Sequence, residues 1–497
     1  MRIRKDVWAL TTAAGAEWPE ELTKYRDAVA AMRQLDPPGN GKPTDPLSWT
    51  FQAAIHGRNR PPGGPDTSNR FWSNCQHGSW FFLAWHRMYL CAFEKIVQHF
   101  LDDDDWSLPY WYAIDPDDED KAVLPPAFRE NTPGNALFTD MRSVPANSGD
   151  PLAFVEPGKP ALIEALGTPL FNTADGIQTF GGGERATPAY NGGEQGLLEG
   201  VPHGLVHVLV GNDYDAIGNP IRFGWMGNFG TAALDPIFWL HHSNIDRLWQ
   251  VWLDADDTHH NPTGDPAWMR TKFSFPKPGG GTVTREIGDV LDTTALGYKY
   301  ENVKPPSGLQ PPEPAGGGRI DLGLGEGEPI PPLPPQVIGA TVDVPMVGDE
   351  RVDVAMSEPA DIGLGERAVA ERLLLRLEGI TGTIAAPAYD VYVNVPEGAS
   401  PPDYPERRAG TLTTFGVPEA SRGTDDHDGT GLNAVFDISS VRDALADAGQ
   451  WDPANLRVSF VPLVPSTSNQ AALDAIAAGA APVTPDLHAA RIVVLVA

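Results

Sequence analysis

The feature that most restricts how this chain can fold is a set of long aromatic segments that carry histidine. The segment HGSWFFLAWH, residues 77–86, sets two histidines at the ends of an almost wholly apolar stretch. VPHGLVHVLV (201–210) and DPIFWLHHSNIDRLWQVWL (235–253) repeat the combination, with apolar residues at helical spacing. Burying imidazoles without partners is costly. We therefore expect a helical core in which several histidines share a partner such as a metal ion.

Length and charge limit the classes of function. A chain of 497 residues is long enough for two domains. Lysine and arginine number 36 against 66 aspartates and glutamates, which gives a formal charge of −30. Such an acidic surface repels phosphate backbones and anionic lipid, so we expect neither a nucleic-acid partner nor a membrane. The two cysteines, Cys75 and Cys91, allow at most one disulfide.

The N-terminal stretch bears on location. MRIRKDVWALTTAAGAEWPE lacks an uninterrupted apolar region and an adjacent arginine pair. No window approaches the length of a membrane span. These observations predict a cytoplasmic protein, and they leave secretion with a partner open.

Composition changes sharply along the chain. Residues 1–302 mix helical patterns with long loops rich in glycine and proline, and residues 303–338 form a stretch dense in both. Beyond it come β-type runs such as YDVYVNV and LRVSFVPLV, with turn residues between them. The sequence predicts a multi-domain protein: a mainly α-helical bundle over 1–302, a linker over 303–338, and a β-sandwich of jelly-roll type over 339–497.

Six of the twelve histidines fall into two sets of three: His56, His77 and His86, and His203, His207 and His242. His203 and His207 lie four residues apart, which places them on one helix face. His77 and His86 are nine residues apart, so a straight helix would point them to opposite sides. We therefore expect His77 to precede the helix that carries His86.

The type of ligand limits the metal. The chain has no His-Glu-x-x-His and no Cys₂His₂ pattern, which excludes the common zinc sites. The histidine segments lack Glu-x-x-His, so a di-iron carboxylate site is disfavoured. All-imidazole ligation suits copper or zinc. Two such triads in aromatic surroundings favour paired copper ions and dioxygen chemistry.

Several motifs resemble those of the type-3 copper proteins. HGSWFFLAWHRMYLCAFEKI resembles the first copper-site motif of tyrosinases and catechol oxidases, and DPIFWLHHSNIDRLWQVW resembles the second. EGVPHGLVH, LGYKY and AYDVYVN are similar to segments of the plant polyphenol oxidases. The resemblance implies two copper ions, with copper A on His56, His77 and His86 and copper B on His203, His207 and His242.

The same resemblance implies roles for further residues. Cys75 would form a thioether with His77, the alternatives being a free thiol or a disulfide with Cys91. Glu199 would hold a water molecule or accept a phenolic proton, and Phe229 would lie over copper A as a gate. His241 would stand beside the substrate or support a ligand. Gly204 and Val208 follow the first two copper B histidines; many bacterial tyrosinases have asparagine at the first of these positions, and its absence disfavours monophenol hydroxylation.

The function implied is copper-dependent oxidation of o-diphenols to o-quinones, with dioxygen reduced to water and at most weaker monophenol hydroxylation. The C-terminal domain would cap the site and keep the enzyme latent until cleavage in the linker. The partners would be a small phenol, dioxygen and a copper-loading protein, while the oligomeric state stays open. Two alternatives remain: a haemocyanin-like reversible oxygen carrier, and an o-aminophenol oxidase of secondary metabolism.

Overall fold

The computed structural model consists of a helical body followed by a body of strands. It describes residues 1–15, 18–39, 41–59, 64–152, 155–173, 176–309, 335–346, 351–357, 372–423, 428–464 and 483–497. Most of the predicted linker, residues 310–334, lies outside the described residues. The predicted boundaries of the domains therefore stay predictions.

Twelve α-helices are found among the described residues. They are α1 Val7–Ala14, α2 Glu20–Arg33, α3 Trp49–His56, α4 Phe82–Leu101, α5 Pro126–Arg129, α6 Val144–Ser148, α7 Val155–Gly167, α8 Leu205–Gly211, α9 Ile237–Ala255, α10 Pro266–Arg270, α11 Val417–Ala420 and α12 Ser439–Asp447. The long helices α4 and α9 confirm the helical periodicity of the histidine-bearing segments. None of the helices described is both long enough and apolar enough to cross a membrane.

The described strands concentrate after residue 335. They are β1 Arg2–Arg4, β2 Gly193–Glu194, β3 Asn212–Tyr214, β4 Pro220–Phe223, β5 Lys272–Pro276, β6 Thr282–Glu286, β7 Tyr298–Tyr300, β8 Gln336–Pro345, β9 Arg351–Ala355, β10 Leu373–Thr381, β11 Tyr389–Val393, β12 Arg408–Leu412, β13 Leu432–Asp437, β14 Asn455–Pro462 and β15 His488–Val496. Three two-stranded sheets belong to the helical body: β1 pairs with β7, β3 with β4, and β5 with β6.

Two open sheets make up the strand body. One has the order β2-β13-β10-β15-β8 and the other β12-β11-β14-β9. A shared core of buried side chains includes Leu375 from the first sheet and Val391 from the second. Since β2 comes from the helical body and pairs in parallel with β13, the two bodies share a sheet edge. The predicted fold class, a helical body followed by a sandwich of sheets, is confirmed.

Helices α4 and α9 pack together at the centre of the helical body. Phe93 of α4 stacks on Trp239 of α9 with ring centroids 3.4 Å apart and planes at 12°. Both helices are buried around most of their circumference, as expected for helices in the middle of a core. This packing brings His86 of α4 and His242 of α9 ring to ring, with centroids 4.5 Å apart.

A buried ionic network locks α9 to the N-terminus and to the LGYKY segment. The Asp246 carboxylate accepts hydrogen bonds from Arg87 at 2.5 Å, Arg4 at 3.2 Å, Tyr298 at 2.7 Å and Tyr300 at 2.5 Å. The neighbouring cations and phenol hydroxyls hold the pKa of Asp246 below its usual value, although burial alone would raise it. Because Asp246 lies one helical turn after His242, the network also fixes the histidine-bearing part of α9.

Replacing Asp246 with alanine tests how much this network stabilises the fold. The change leaves Arg4 and Arg87 buried without this counter-ion, so we expect the free energy of unfolding to fall by about 3–5 kcal/mol. Asp353→Ala is the control, since Asp353 pairs with Arg457 at the surface and should cost about 0–1 kcal/mol. Urea unfolding measures both, and equal losses would contradict a structural role for Asp246.

Candidate metal centre

All six histidines predicted as ligands lie in one buried cluster. None of their side chains is more than 2% exposed. They come from separate elements: His56 from the end of α3, His77 from the loop before α4, His86 from α4, His203 and His207 from the segment leading into and through α8, and His242 from α9. The expectation that His77 precedes the helix of His86 is confirmed.

Local sequence explains where these histidines stand. The Ser48 hydroxyl caps α3 by accepting the Phe51 amide at 3.2 Å, and the helix then ends at His56. His203 belongs to a π-helical segment, Glu199–Gly204, which is kinked at Val201 and continues into α8. The rings of His203 and His207 lie 4.7 Å apart, as their spacing of four residues predicts.

Backbone carbonyls orient most of the rings. Four imidazoles donate from Nδ1 to main-chain oxygens: His56 to Phe229 at 3.2 Å, His86 to Phe82 at 2.8 Å, His203 to Glu199 at 2.9 Å and His207 to Met226 at 2.8 Å. A neutral ring that donates from Nδ1 keeps a lone pair on Nε2. These bonds therefore fix the tautomer and aim Nε2 into the cluster.

The remaining ring nitrogens fit metal ions. The Nε2 atoms of His56, His86 and His203 are buried and have no hydrogen-bond partner, as are both nitrogens of His77. The Nε2 atoms of His207 and His242 lie 3.3 Å apart, so they face the same small space. Buried polar atoms normally have partners. Several unpartnered imidazole nitrogens in one place form a donor set that suits copper or zinc.

The cluster does not divide cleanly into two triads. His203, His207, His241 and His242 have ligand atoms within 4.8 Å of one another, and so do His56, His86 and His242. His242 thus belongs to both groups, and His241 adds a fourth ring to the first. The assignment of three histidines to each copper therefore stays a prediction. Its least certain part is whether His241 or His242 is the third ligand of copper B.

The imidazoles are uncharged at neutral pH. Burial lowers the pKa of His56 and of His203 to about 3. Burial, and then the neighbouring imidazoles, lower the pKa values of the other rings of the cluster well below the usual value: His77, His86, His207, His241 and His242. Neutral rings offer lone pairs, so protons do not compete with a metal at pH 7.

Glu199 is buried beside this cluster. One of its carboxylate oxygens accepts the Gly78 amide at 2.8 Å, and the other has no partner. Burial raises the pKa of Glu199 well above its usual value. Its backbone carbonyl also orients His203. The structure thus places this carboxyl beside the histidine cluster rather than on a solvated loop. Its role stays a prediction.

Cys75 and Phe229 also lie against the cluster. Cys75 is a buried free thiol whose sulfur is within 4.8 Å of ligand atoms of His56 and His77, and Cys91 is a second free thiol. The ring of Phe229 lies 4.4 Å from that of His77 and 5.1 Å from that of His56. The thioether and the gate role are compatible with these positions and stay predictions.

Sequence reasoning missed Phe415, which the strand body contributes to the site. Its ring stacks on His207 with centroids 3.9 Å apart and planes at 9°. It also lies 5.4 Å from Phe229 and 5.6 Å from His203. Phe415 follows β12 in a connecting segment, and nothing in that segment's pattern signals contact with histidines more than 200 residues away.

Sequence families match along most of the chain. The family described as the common central domain of tyrosinase matches residues 46–150 and 162–255, which contain the histidine cluster. The polyphenol oxidase middle domain matches residues 263–309. A domain of unknown function matches residues 336–474, in the strand body.

Similar proteins and structures agree with these matches. Tyrosinase HcTyr1 of Hahella sp. is 32% identical over 93% of this chain and 95% of its own length. Polyphenol oxidase C of Solanum lycopersicum is 26% identical, covering 89% of this chain and 69% of the relative. Latent apple tyrosinase has the same fold, with a TM-score of 0.61, 21% identity, and coverage of 100% of this chain and 97% of the other.

These relatives correct the expected location. The matching polyphenol oxidases of Solanum lycopersicum and Malus domestica are named as chloroplastic proteins. The cytoplasmic location predicted from the N-terminal stretch is therefore wrong, because these relatives, which match most of this chain, are named as chloroplastic.

The match to the Hahella tyrosinase covers 93% of this chain, so it extends into both bodies. The buried imidazoles supply the donors that a pair of copper ions requires. The chain therefore belongs to the tyrosinase and polyphenol oxidase family of type-3 copper oxidoreductases, whose cofactor is a dicopper centre.

Proposed function

We propose that this chain oxidises o-diphenols to o-quinones, with dioxygen reduced to water, and that its strand body keeps it latent. The stacking of Phe415 on His207 carries the proposal, because an aromatic substrate needs the same imidazole face. A flat ring beside a cluster of metal-binding nitrogens is the geometry expected for a phenol, which Phe415 imitates without the hydroxyl groups.

In this proposal His56, His77 and His86 hold copper A, and His203, His207 and His242 hold copper B. The dicopper centre, when bound, supplies dioxygen activation and two-electron oxidation. The protein keeps the imidazoles neutral and excludes water by burying them under aromatic rings. Its backbone carbonyls hold the rings in place, as partners beyond the metal commonly do.

Alanine at two adjacent positions tests the choice of ligand on α9. Ligand atoms of His241 and His242 both lie within 4.8 Å of those of His203 and His207. Neighbouring residues on a helix point about 100° apart, and the proposal assigns copper B to His242. We expect His242→Ala to lose at least one of the two coppers and His241→Ala to keep both. Metal analysis of the purified variants measures this. A His241→Ala protein that loses as much copper as His242→Ala would contradict the assignment.

Residues around the stacking face favour diphenols over monophenols. Gly204 and Val208 offer no amide or carboxylate to help deprotonate a monophenol. Glu199 is the buried carboxyl nearest in sequence to His203. Burial raises its pKa, so its ionised form is a stronger base than an exposed glutamate. A catechol, whose first hydroxyl is more acidic than that of a simple phenol, needs less help to lose its protons.

Oxygen uptake tests the substrate class. We expect copper-loaded protein cleaved between the two bodies to consume dioxygen rapidly with a simple catechol, forming quinone, and at least about tenfold more slowly with a monophenol, since one missing base contact is worth about 1–2 kcal/mol. Faster uptake with an o-aminophenol than with catechol would point to an o-aminophenol oxidase. Reversible oxygen binding without turnover of any phenol would contradict the oxidase.

Several contacts hold Phe415 in place. The Asn191 amide of the helical body donates to the Gly416 carbonyl at 2.7 Å. Gly416 has a φ of +84°, a conformation that favours glycine, and its α-carbon faces the Phe229 ring. Phe415 is 3% exposed, so the tip of this segment is seated rather than lying loosely on the surface. This arrangement supports a latent state.

Phe415→Ala tests the latency. We expect the uncleaved variant to be about tenfold or more active than the uncleaved parent protein. Losing one stacked ring contact should reduce the free energy that favours the covered site by roughly 1–2 kcal/mol. Tyr404→Ala, in the same body but away from the histidines, is the control and should stay latent. Equal activity of the parent protein before and after cleavage would show that the strand body does not inhibit it.

The thioether between Cys75 and His77 remains part of the proposal. Its formation joins sulfur to a ring carbon of His77, removes one hydrogen from each, and passes two electrons to dioxygen. The positions of Cys75 and His77 allow the bond. An intact mass lower by two hydrogens after copper loading would support it, and an unchanged mass would contradict it.

A further inference from the structure

Gly204 has no conformational reason to be glycine. It follows His203 at the junction of the π-helical segment with α8, with φ −64° and ψ −33°. These are ordinary right-handed helical angles that any residue adopts. Glycine in such a position costs roughly 0.5–1 kcal/mol relative to alanine. The reason for glycine must therefore lie in what surrounds it.

Thr413 of the strand body occupies the space that a side chain at position 204 would fill. A β-carbon placed on Gly204 would overlap the hydroxyl oxygen of Thr413 and lie 2.8 Å from its γ-carbon and 3.0 Å from its β-carbon. Carbon atoms without a bond between them stay about 3.5–4.0 Å apart. The α-carbon of Gly204 is thus in direct contact with Thr413.

Gly200 provides a comparison within the same segment. A β-carbon on Gly200 would also face Thr413, but at 3.9 Å, an ordinary contact distance. Gly200 and Gly204 therefore approach the same threonine, and only Gly204 is close enough to exclude a side chain. The close approach belongs to this one position and not to the surface of the segment in general.

Thr413 stands two residues before the ring that covers the histidines. Its hydroxyl accepts the Phe415 amide at 3.4 Å, and its side chain is 3% exposed. Where Thr413 sits against Gly204 therefore determines where Phe415 lies over His207. A displacement of Thr413 by one methyl group would be passed on to that ring through this short connection.

We propose that Gly204 is a docking position for the strand body: it lacks a side chain so that Thr413 can seat against it and place Phe415 on His207. This inference rests on the proposed latency. It adds the contact between Thr413 and Gly204 that would hold the covering segment in position. Gly204 is a positioning residue here, acting through Thr413 and Phe415. Any side chain at position 204 competes with the seated segment for the same space.

Other contacts keep the strand body attached when this one is lost. Gly193 pairs with Leu432 where β2 joins the sheet, and Glu194 forms an ion pair with Arg376 at 2.8 Å. Gln178 donates to the Val435 carbonyl at 3.1 Å. A side chain at position 204 should therefore lift the Thr413–Phe415 segment locally and leave the rest of the interface in place.

The experiment compares three uncleaved variants with the parent: Gly204→Ala, Gly200→Ala as the matched control, and Thr413→Leu. Amide hydrogen exchange of residues 408–420 is measured by mass spectrometry on metal-free protein, so the readout does not depend on copper loading. The ratio of catechol oxidation after and before cleavage is measured on copper-loaded protein.

We expect Gly204→Ala to speed exchange of this segment and to lower the cleavage ratio, each by about tenfold, because a methyl group forced into a packed contact is strongly unfavourable. Thr413→Leu adds volume on the other side of the same contact, so it should also speed exchange and lower the cleavage ratio. If Gly204→Ala fails to fold, Thr413→Leu tests the docking role by itself. Gly200→Ala should match the parent.

Each failure has a separate meaning. Exchange in Gly204→Ala and Thr413→Leu that equals that of Gly200→Ala would overturn the docking role. A parent protein that gains nothing on cleavage would overturn the proposed latency, while the exchange data would still report whether Gly204 seats the segment.

Discussion

The structure depends on burying seven imidazoles in a neutral state. Burial lowers their pKa values far enough that each ring is neutral at pH 7 and carries a single N–H proton. Backbone carbonyls then take the Nδ1 hydrogens of four rings, and the lone pairs left on the other nitrogens point inward. A cluster of this kind is costly unless a cation joins it, so the core is built for metal as much as for packing.

Rigid support for the cluster comes from outside it. Asp246 gathers two arginines and two tyrosines one turn beyond His242, and the aromatic stack of Phe93 on Trp239 fixes α4 against α9. Neither feature touches a ring nitrogen. Both hold the helices that carry the ligands, and small shifts of those helices would change distances between the rings directly.

The second body covers part of the cluster. Phe415 covers His207, and Thr413 meets the helix beside His203 where only glycine leaves room. The sheet that contains β13 continues into β2 of the helical body, so backbone hydrogen bonds join the two bodies. In our proposal, chemistry and its inhibition use the same short stretch of chain, from Glu199 to His207.

Sequence alone was enough for the order of a helical body and a strand body, for helices α4 and α9, and for singling out six histidines that the structure gathers in one cluster, while their role as ligands stays a prediction. Each of these is encoded locally, in helical periodicity, in the spacing of four residues between His203 and His207, and in runs of β-forming residues. Only the tertiary structure decided that His242 lies within reach of both ligand groups, that Glu199 is buried, and that Phe415 and Thr413 reach the site. These are contacts between residues far apart in the chain, and no local pattern records them, because they arise from the packing of one body on the other.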